Sequence, residues 1–175
     1  MRRRLLKNLI GTPCTEPVPQ RPAACEAVGE ALHGAIERSL GRSLAIRAVD
    51  TGSCNGCELE IHALSNAFYD IERFGIRFVA SPRHADVLLV TGPVTLNMCE
   101  ALQRTYAATP APKWVVAVGD CGAGCGVFAD SYACVGTVSK VVPVDLVIRG
   151  CPPTPADLLQ GLLWLLNGSA TRVSL

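Results

Sequence analysis

Four of the nine cysteines in this chain follow segments that are typical of β-strands. Cys54 and Cys57 form a C-x-x-C pair after a segment that ends near Asp50, and Cys121 and Cys151 each follow an apolar segment of their own. Ligands of open α/β sheets bind beyond the carboxyl ends of the strands, so residues far apart in the sequence can meet there. The spacing therefore predicts that these four thiols share one crevice.

The three segments that carry these cysteines, 52–57, 119–122 and 149–153, are rich in glycine or proline. Glycine lets the backbone wrap closely around an inorganic group, and Pro152 and Pro153 stiffen the chain after Cys151. The C-x-x-C pair also begins a predicted helix, whose amino terminus favours negative charge. These features suit an anionic group that is held by thiolates.

Thiolate ligands are compatible with more than one kind of site. A C-x-x-C pair between a strand and a helix also occurs in thioredoxin-like dithiol proteins, and four thiolates can hold zinc. Zinc modules usually supply their second pair as a close doublet, whereas Cys121 and Cys151 are single cysteines on separate loops. The residues alone favour an iron–sulfur cluster over zinc, and either of these over a redox dithiol.

The other cysteines are not expected to be ligands. Cys125 is the rival in the glycine-rich turn, and it ranks below Cys121 because Cys121 directly follows the predicted strand. Two further cysteines are expected to be small buried residues, and two lie in or next to a proline-rich arm and are expected to be incidental: Cys99 and Cys134, then Cys14 and Cys25.

Charged and polar residues near the motifs are weaker candidates. Glu58 and Glu60 lie at the start of the predicted helix, where acidic side chains stabilise the helix dipole, and a carboxylate beside a redox centre can also relay protons. Asp120 is expected to shape its turn. His62 and His84 are expected to be ordinary polar or packing residues.

Alternating strands and helices must position these loops. The predicted strands cover residues 44–50, 76–80, 87–91, 114–118 and 145–149, and the predicted helices cover 58–74, 96–106 and 155–166. This alternation predicts an α/β domain over residues 44–175 with a mainly parallel sheet. An extended arm over 1–23 and a helix over 24–43 are expected to precede it.

Composition limits the classes of partner. The net charge of +1 gives no excess of basic residues for a nucleic-acid backbone, and the aromatic content of 5% provides few side chains on which bases could stack. A hydrophobic content of 49% and a mean hydropathy of +0.30 fit a sheet buried on both faces and a surface covered by a partner. No stretch is long enough to span a bilayer, and the basic start lacks the apolar region of a cleaved signal.

Five segments, in the same order, resemble the small subunits of energy-converting [NiFe] hydrogenases of the formate hydrogenlyase type: 50–61, 119–122, 130–132, 142–145 and 150–153. The same superfamily includes the 20 kDa, or B, subunit of NADH:quinone oxidoreductase. The resemblance implies a flavodoxin-like domain that holds one [4Fe–4S] cluster on Cys54, Cys57, Cys121 and Cys151. The respiratory subunit typically has two adjacent cysteines at the first ligand position, so Cys-Asn-Gly-Cys favours the hydrogenase branch.

The resemblance also implies the surroundings of the chain. It would transfer electrons beside a [NiFe] large subunit, with a ferredoxin-like iron–sulfur subunit and membrane subunits in the same complex. It would be peripheral on the cytoplasmic side of the inner membrane, with no hydrogenase activity alone. Uptake hydrogenase small subunits have a further domain with more clusters, and this chain stops soon after its last predicted helix, so one cluster is expected.

Uptake enzymes carry a glutamate two residues after the second cysteine, where this chain has Leu59. The resemblance therefore transfers a proton-relay role only to the neighbouring Glu60. Two other functions stay open for the whole chain: a 20 kDa subunit that passes electrons to quinone, and a zinc-stabilised interaction module without a redox role.

Overall fold

The computed structural model describes residue 16 and residues 23–168. Five parallel strands form the main sheet: β1 (Leu44–Asp50), β2 (Ile76–Phe78), β3 (Val87–Thr91), β5 (Trp114–Val118) and β7 (Leu146–Ile148). Two shorter strands, β4 (Val94–Thr95) and β6 (Cys134–Gly136), form a separate antiparallel pair. The main sheet has the order β2-β1-β3-β5-β7, which is the flavodoxin-like order and confirms the predicted fold class.

Among the described residues, five α-helices accompany the strands: α1 (Ala23–Leu40), α2 (Gly56–Ala63), α3 (Leu96–Ala108), α4 (Gly119–Gly124) and α5 (Pro155–Leu166). Short 3-10 turns cover Ile71–Phe74, Pro82–His84, Gly126–Phe128 and Val138–Lys140. The predicted helix over 24–43 thus ends at Leu40, before Gly41 with its φ of +63°. No described helix is long and apolar enough to cross a membrane.

Both faces of the sheet are covered. On one face, Val87 and Leu89 of β3 pack in a core with residues of α1, α2 and α5. On the other face, Leu88 and Val90 pack in a second core with Leu102 of α3. Strands that are buried on both faces lack an alternating pattern, which explains the continuous apolar runs in the sequence.

Acidic side chains join the amino ends of neighbouring strands through hydrogen bonds. Asp86, just before β3, accepts a hydrogen bond from the backbone N–H of Ala45 at 3.0 Å, and Arg42 donates to both of its carboxylate oxygens at 2.8 and 2.5 Å. Asp145, just before β7, accepts from the backbone N–H of Val115 at 2.8 Å. These bonds fix β1 against β3 and β5 against β7.

Helix α2 is shorter than the helix predicted over residues 58–74. The side chain of Asn66 accepts hydrogen bonds from the backbone N–H groups of Phe68 and Tyr69, at 2.8 and 3.0 Å. Such a side-chain turn competes with the helical hydrogen bonds of the backbone. The helix therefore ends at Ala63, and the prediction was wrong beyond that residue.

Smaller differences concern the ends of three elements and one turn. Strand β2 ends two residues earlier than predicted, β7 loses one residue at each end, and α3 continues to Ala108. The predicted glycine-rich turn after β5 is the short helix α4. The predicted arm, apart from Glu16 and Ala23, lies outside the described residues, as do Cys14 and residues 169–175.

Candidate metal centre

A cavity of about 80 Å³ lies at the carboxyl ends of the central strands. All four predicted cysteines line it, together with three glycines and three other residues: Cys54, Cys57, Cys121, Cys151, Gly56, Gly92, Gly150, Ser53, Asp120 and Pro152. The structure therefore brings these cysteines together at the predicted edge of the sheet. Their role as ligands stays a prediction.

The loop with the first two cysteines is shaped by its own polar groups. Asp50, the last residue of β1, accepts hydrogen bonds from the backbone N–H groups of Gly52 and Ser53, both at 2.8 Å. The backbone then passes through Asn55 with a φ of +70° and enters α2 at Gly56. This path leaves Cys54 exposed and Cys57 half-buried in the first turn of the helix.

Two glycines keep space free beside the half-buried thiols. A Cβ atom on Gly119 would lie 2.7 Å from Sγ of Cys57, and one on Gly126 would lie 2.9 Å from Sγ of Cys121. Both glycines also have a positive φ, +83° and +48°, which side chains disfavour. Larger residues at these positions would crowd the thiols.

Cys121 and Cys125 have different surroundings, although both lie at or beside α4. Cys121 lines the cavity, and the backbone N–H of Val127 favours the ionised form of its thiol. Cys125 is buried with a φ of +64° and does not line the cavity, and its backbone N–H donates to the carbonyl of Cys121 at 2.8 Å. The geometry therefore favours Cys121 as the thiol that faces the cavity.

The segments that carry Cys121 and Cys151 are joined through the residues that precede them. The backbone N–H of Asp120 donates to the carbonyl of Gly150 at 2.9 Å. In return, the backbone N–H of Gly150 donates to Oδ1 of Asp120 at 3.2 Å. Two single cysteines from different loops are thereby held on the same side of the cavity.

The thiols disfavour one another's ionisation. Burial raises the pKa of Cys57 to about 11, and the Glu58 carboxylate and the other three thiols add to this increase. Burial also raises the pKa of Cys121, with contributions from Cys151 and Cys54, while the N–H of Val127 acts in the opposite direction. Neighbouring thiolates of this kind are stabilised by a metal-containing group whose positive ions offset their charge.

The two glutamates of α2 have different neighbours. Ser53 donates a hydrogen bond from Oγ to Oε2 of Glu58 at 2.6 Å, and Oε1 of Glu58 is buried with no hydrogen-bond partner among the described residues. Glu60 lies near Tyr69, whose pKa is raised by burial, then by Cys25 and Glu60. The carboxylate that contacts the cysteine loop is therefore Glu58, which sequence reasoning ranked below Glu60.

The remaining candidates lie away from the cavity. His62 is exposed and lines a different cavity beside α2, and His84 is exposed in a 3-10 turn. Cys99, in α3, and Cys134, the first residue of β6, are half-buried rather than fully buried. Within the described part of the chain, no three His, Cys, Asp or Glu side chains converge closely enough to hold a single metal ion.

Large apolar side chains are exposed on segments near the cavity. Leu59 is 61% exposed two residues after Cys57, and Val127, which follows the Gly126 that lies against Cys121, is 85% exposed. Leu96 and Tyr132, 60% and 96% exposed, lie where the backbone N–H of Leu96 donates to the carbonyl of Ala133. Exposed apolar groups of this size are typical of a surface that a partner covers.

The family described as NADH ubiquinone oxidoreductase, 20 Kd subunit, matches residues 54–165. Formate hydrogenlyase subunit 7 of Escherichia coli is 41% identical over 162 residues, which cover 93% of this chain and 63% of that protein. The chain thus spans just under two thirds of the length of this relative.

Two further matches cover more of the relative. Probable membrane-bound hydrogenase subunit mbhJ of Pyrococcus furiosus is 45% identical over 134 residues, which cover 77% of this chain and 80% of that protein. A chain in the structure of the membrane-bound sulfane sulfur reductase, an archaeal respiratory membrane complex, is 35% identical with a TM-score of 0.65. That match covers 81% of this chain and 79% of the other.

Proposed function

Because the chain belongs to the family of the 20 kDa subunit of NADH ubiquinone oxidoreductase, we propose that it is the electron-transfer subunit of a membrane-associated hydrogenase complex. It holds one [4Fe–4S] cluster on Cys54, Cys57, Cys121 and Cys151. The observation that carries this proposal is that these four thiols line one cavity. The relatives named as formate hydrogenlyase and membrane-bound hydrogenase subunits support the hydrogenase branch.

The residues around the cavity fit such a group. Four cysteine thiolates are the ligand set of [4Fe–4S] clusters, and the glycines beside Cys57 and Cys121 leave room next to the sulfur atoms. When bound, the cluster supplies one-electron transfer. The chain itself holds the four thiolates in place, shields Cys57 and Cys121 from water, and leaves Cys54 and Cys151 at the surface.

The exposed apolar residues near the cavity, Leu59, Leu96, Val127 and Tyr132, support a docking surface for the large subunit. Burial of such side chains at a protein interface is favourable, and it would place the partner next to the thiols. In this proposal the partner is a [NiFe] large subunit. A ferredoxin-like subunit and membrane subunits complete a peripheral assembly on the cytoplasmic side of the membrane.

Metal analysis of the native complex, purified without oxygen, tests the cluster. We expect about four irons and four sulfides per chain, since one cubane contains four of each, and a brown protein. A colourless complex with stoichiometric zinc would instead establish the zinc-stabilised interaction module. Removal of the chain should leave the complex without this cluster signal.

The family description also keeps the quinone branch as a second candidate function. The sequence of the large subunit in the purified complex separates the two, because two C-x-x-C pairs supply the nickel ligands of a hydrogenase. Hydrogen evolution by the complex from a reduced donor is expected. A complex that reduces quinone and neither evolves nor oxidises hydrogen would place the chain in the respiratory branch.

A proton-relay role for Glu60 is a separate part of the proposal. Its support is the resemblance, together with the position of Glu60 on α2, three residues after Cys57. Glu60→Gln should slow hydrogen evolution while the cluster spectrum stays native. Glu58→Gln is the matched comparison, and equal turnover of Glu60→Gln and the native complex would remove this role.

A further inference from the structure

The contact between Asp120 and Gly150 extends the pairing of two strands into the candidate metal centre. Strands β5 and β7 are parallel neighbours whose last paired residues are Val118 and Ile148. Two residues further along each strand, Asp120 and Gly150 bond twice, once through the backbone and once through the Asp120 carboxylate. The Asp120 side chain thus supplies the second of two hydrogen bonds that join these segments after the sheet has ended.

We propose that Asp120 is a positioning residue that fixes the separation of the Cys121 and Cys151 loops, and that its carboxylate lowers the reduction potential of the bound cluster. This inference rests on the proposed function, because it concerns the same four thiols. It concerns a residue that sequence reasoning assigned only to the shape of its own turn.

The positioning role follows from where the bonds lie. Asp120 immediately precedes Cys121, and Gly150 immediately precedes Cys151, so each bonded residue is next to a proposed ligand. Gly150 has a φ of +140°, and a Cβ atom there would lie 2.6 Å from the backbone of Pro153. Because Gly150 is confined in this way, its N–H has a fixed direction, and Asp120 is the acceptor that meets it.

The first pair of ligands does not need a comparable bond between loops. Cys54 and Cys57 are three residues apart in one segment, and Asp50 and Ser53 shape that segment through local hydrogen bonds. Loss of Asp120 should therefore loosen the Cys121 and Cys151 side of the site selectively. This asymmetry gives the proposal a signature that a general loss of stability would not produce.

The charge role follows from the composition of the cavity wall. Asp120 is the acidic residue among those that line the cavity, and none of the described lining residues is basic. Asp120 immediately precedes Cys121, and both residues line the cavity. Adding an electron to a cluster makes the cluster more negative, so a nearby carboxylate opposes reduction and lowers the potential.

The test uses the native complex with Asp120→Asn, Asp120→Ala and the control Asp70→Asn. Asparagine keeps an oxygen that can accept from Gly150 but removes the charge, whereas alanine removes both. Asp70 is exposed and does not line the cavity, so Asp70→Asn removes a distant charge of the same kind. The measurements are EPR line shape, midpoint potential by redox titration, and the rate of iron loss to a chelator.

We expect Asp120→Asn to raise the midpoint potential with a native line shape and with iron loss within about twofold of native. Asp120→Ala should raise the potential, change the line shape and lose iron at least about tenfold faster. If Asp120→Ala prevents stable cluster binding, rescue of iron retention by Asp120→Asn supports the positioning role. The midpoint potential of Asp70→Asn should stay closer to the native value than the midpoint potential of either Asp120 variant.

Several results would overturn the inference. A native line shape and native iron retention in Asp120→Ala would remove the positioning role, as would equal iron loss in Asp120→Asn and Asp120→Ala. A potential of Asp120→Asn that matches Asp70→Asn would remove the charge role. Failure of the proposed function is a different observation, since the unmodified complex would then contain no [4Fe–4S] signal.

Discussion

At the amino ends of the parallel strands, Asp86 and Asp145 accept hydrogen bonds from the backbone of neighbouring strands, and Arg42 neutralises Asp86. At the carboxyl ends, Asp120 and Glu58 lie beside thiols, and the described residues that line the cavity include no basic side chain. At the amino ends the carboxylates are bonded to backbone N–H groups or to a cation. At the carboxyl ends they lie beside the thiols, without a basic side chain among the described residues of the cavity wall.

This difference separates the part of the sheet that stabilises the fold from the part that holds the proposed cluster. Hydrogen bonds that satisfy backbone N–H groups and the Asp86 and Asp145 carboxylates contribute to stability. At the carboxyl ends, burial and neighbouring acidic groups raise the pKa of the Cys57 and Cys121 thiols, so their thiolates cost stability until a positively charged group joins them. Changes at the two ends should therefore affect different measurements.

The largest expected effect is the loss of a thiol at the carboxyl end. Single replacement of Cys54, Cys57, Cys121 or Cys151 by Ser should abolish or severely disturb the cluster, because each change removes one of four thiolate ligands. Iron content and the EPR signal of the complex measure this. Cys99→Ser is the matched control, and a ligand variant with native iron and spectrum would contradict the assignment.

The second prediction concerns the ionisation of Cys57 in chelator-treated protein without a cluster. The pKa of this thiol is raised from 9.0 to about 11, so it stays protonated as the pH rises through 9 and ionises only near 11. At pH 9 the thiolate fraction should be about 50-fold below that in unfolded protein. Iodoacetamide labelling with peptide mass spectrometry gives the profile, and a midpoint of about 9 in the folded chain would contradict it.

At the amino end, Asp86→Ala should lower the free energy of unfolding by about 1–3 kcal/mol, because the Ala45 N–H and Arg42 lose their partner. The cluster spectrum should stay native. Denaturant titration measures the loss, and Glu100→Ala, which breaks an exposed ion pair with Arg104, should cost less than about 0.5 kcal/mol. If Asp86→Ala lost the cluster without losing stability, the separate roles of the amino and carboxyl ends of the strands would be contradicted.

The smallest expected effect is at Cys125. Glycine relieves the positive φ of this position but removes a small buried side chain, so Cys125→Gly should change stability by less than about 1 kcal/mol. Cys125→Ala keeps the backbone strain and should be the less stable of the two. Both variants should keep the EPR signal. If Cys125→Ala destroys that signal while Cys121→Ala spares it, the ligand assignment in this segment is wrong.

The two central strands β3 and β5 were predictable because their sequences are almost entirely apolar. Strands β3 and β5 have the predicted bounds, since both of their faces are covered and every residue must be compatible with burial. Cys121 follows β5, and Cys54 and Cys151 lie a few residues after β1 and β7, so their approach at one edge could be inferred from sequence position. The prediction of the four ligands therefore relied on the predicted ends of the strands.

The features that sequence reasoning missed depend on individual side chains or on distant contacts. The end of α2 is set by the Asn66 side chain, which overrides a helical pattern. The β4–β6 pair joins residues about 40 positions apart through very few hydrogen bonds, and short pairings of this kind leave no periodic signal. Glu58 and Glu60 could have been separated, because residues two apart on a helix point about 200° apart.

The unequal exposure of the four thiols has a consequence for how the complex matures. Cys54 and Cys151 are exposed, while Cys57 and Cys121 lie deeper, so iron and sulfide would reach the deeper thiols past the two exposed ones, and a large subunit docked over these would cover that route. Insertion must then precede docking, because a bound partner would close the entrance. A chain that bound its large subunit before it received a cluster would remain without one. The positions of the two exposed thiols thus set the order of the assembly steps.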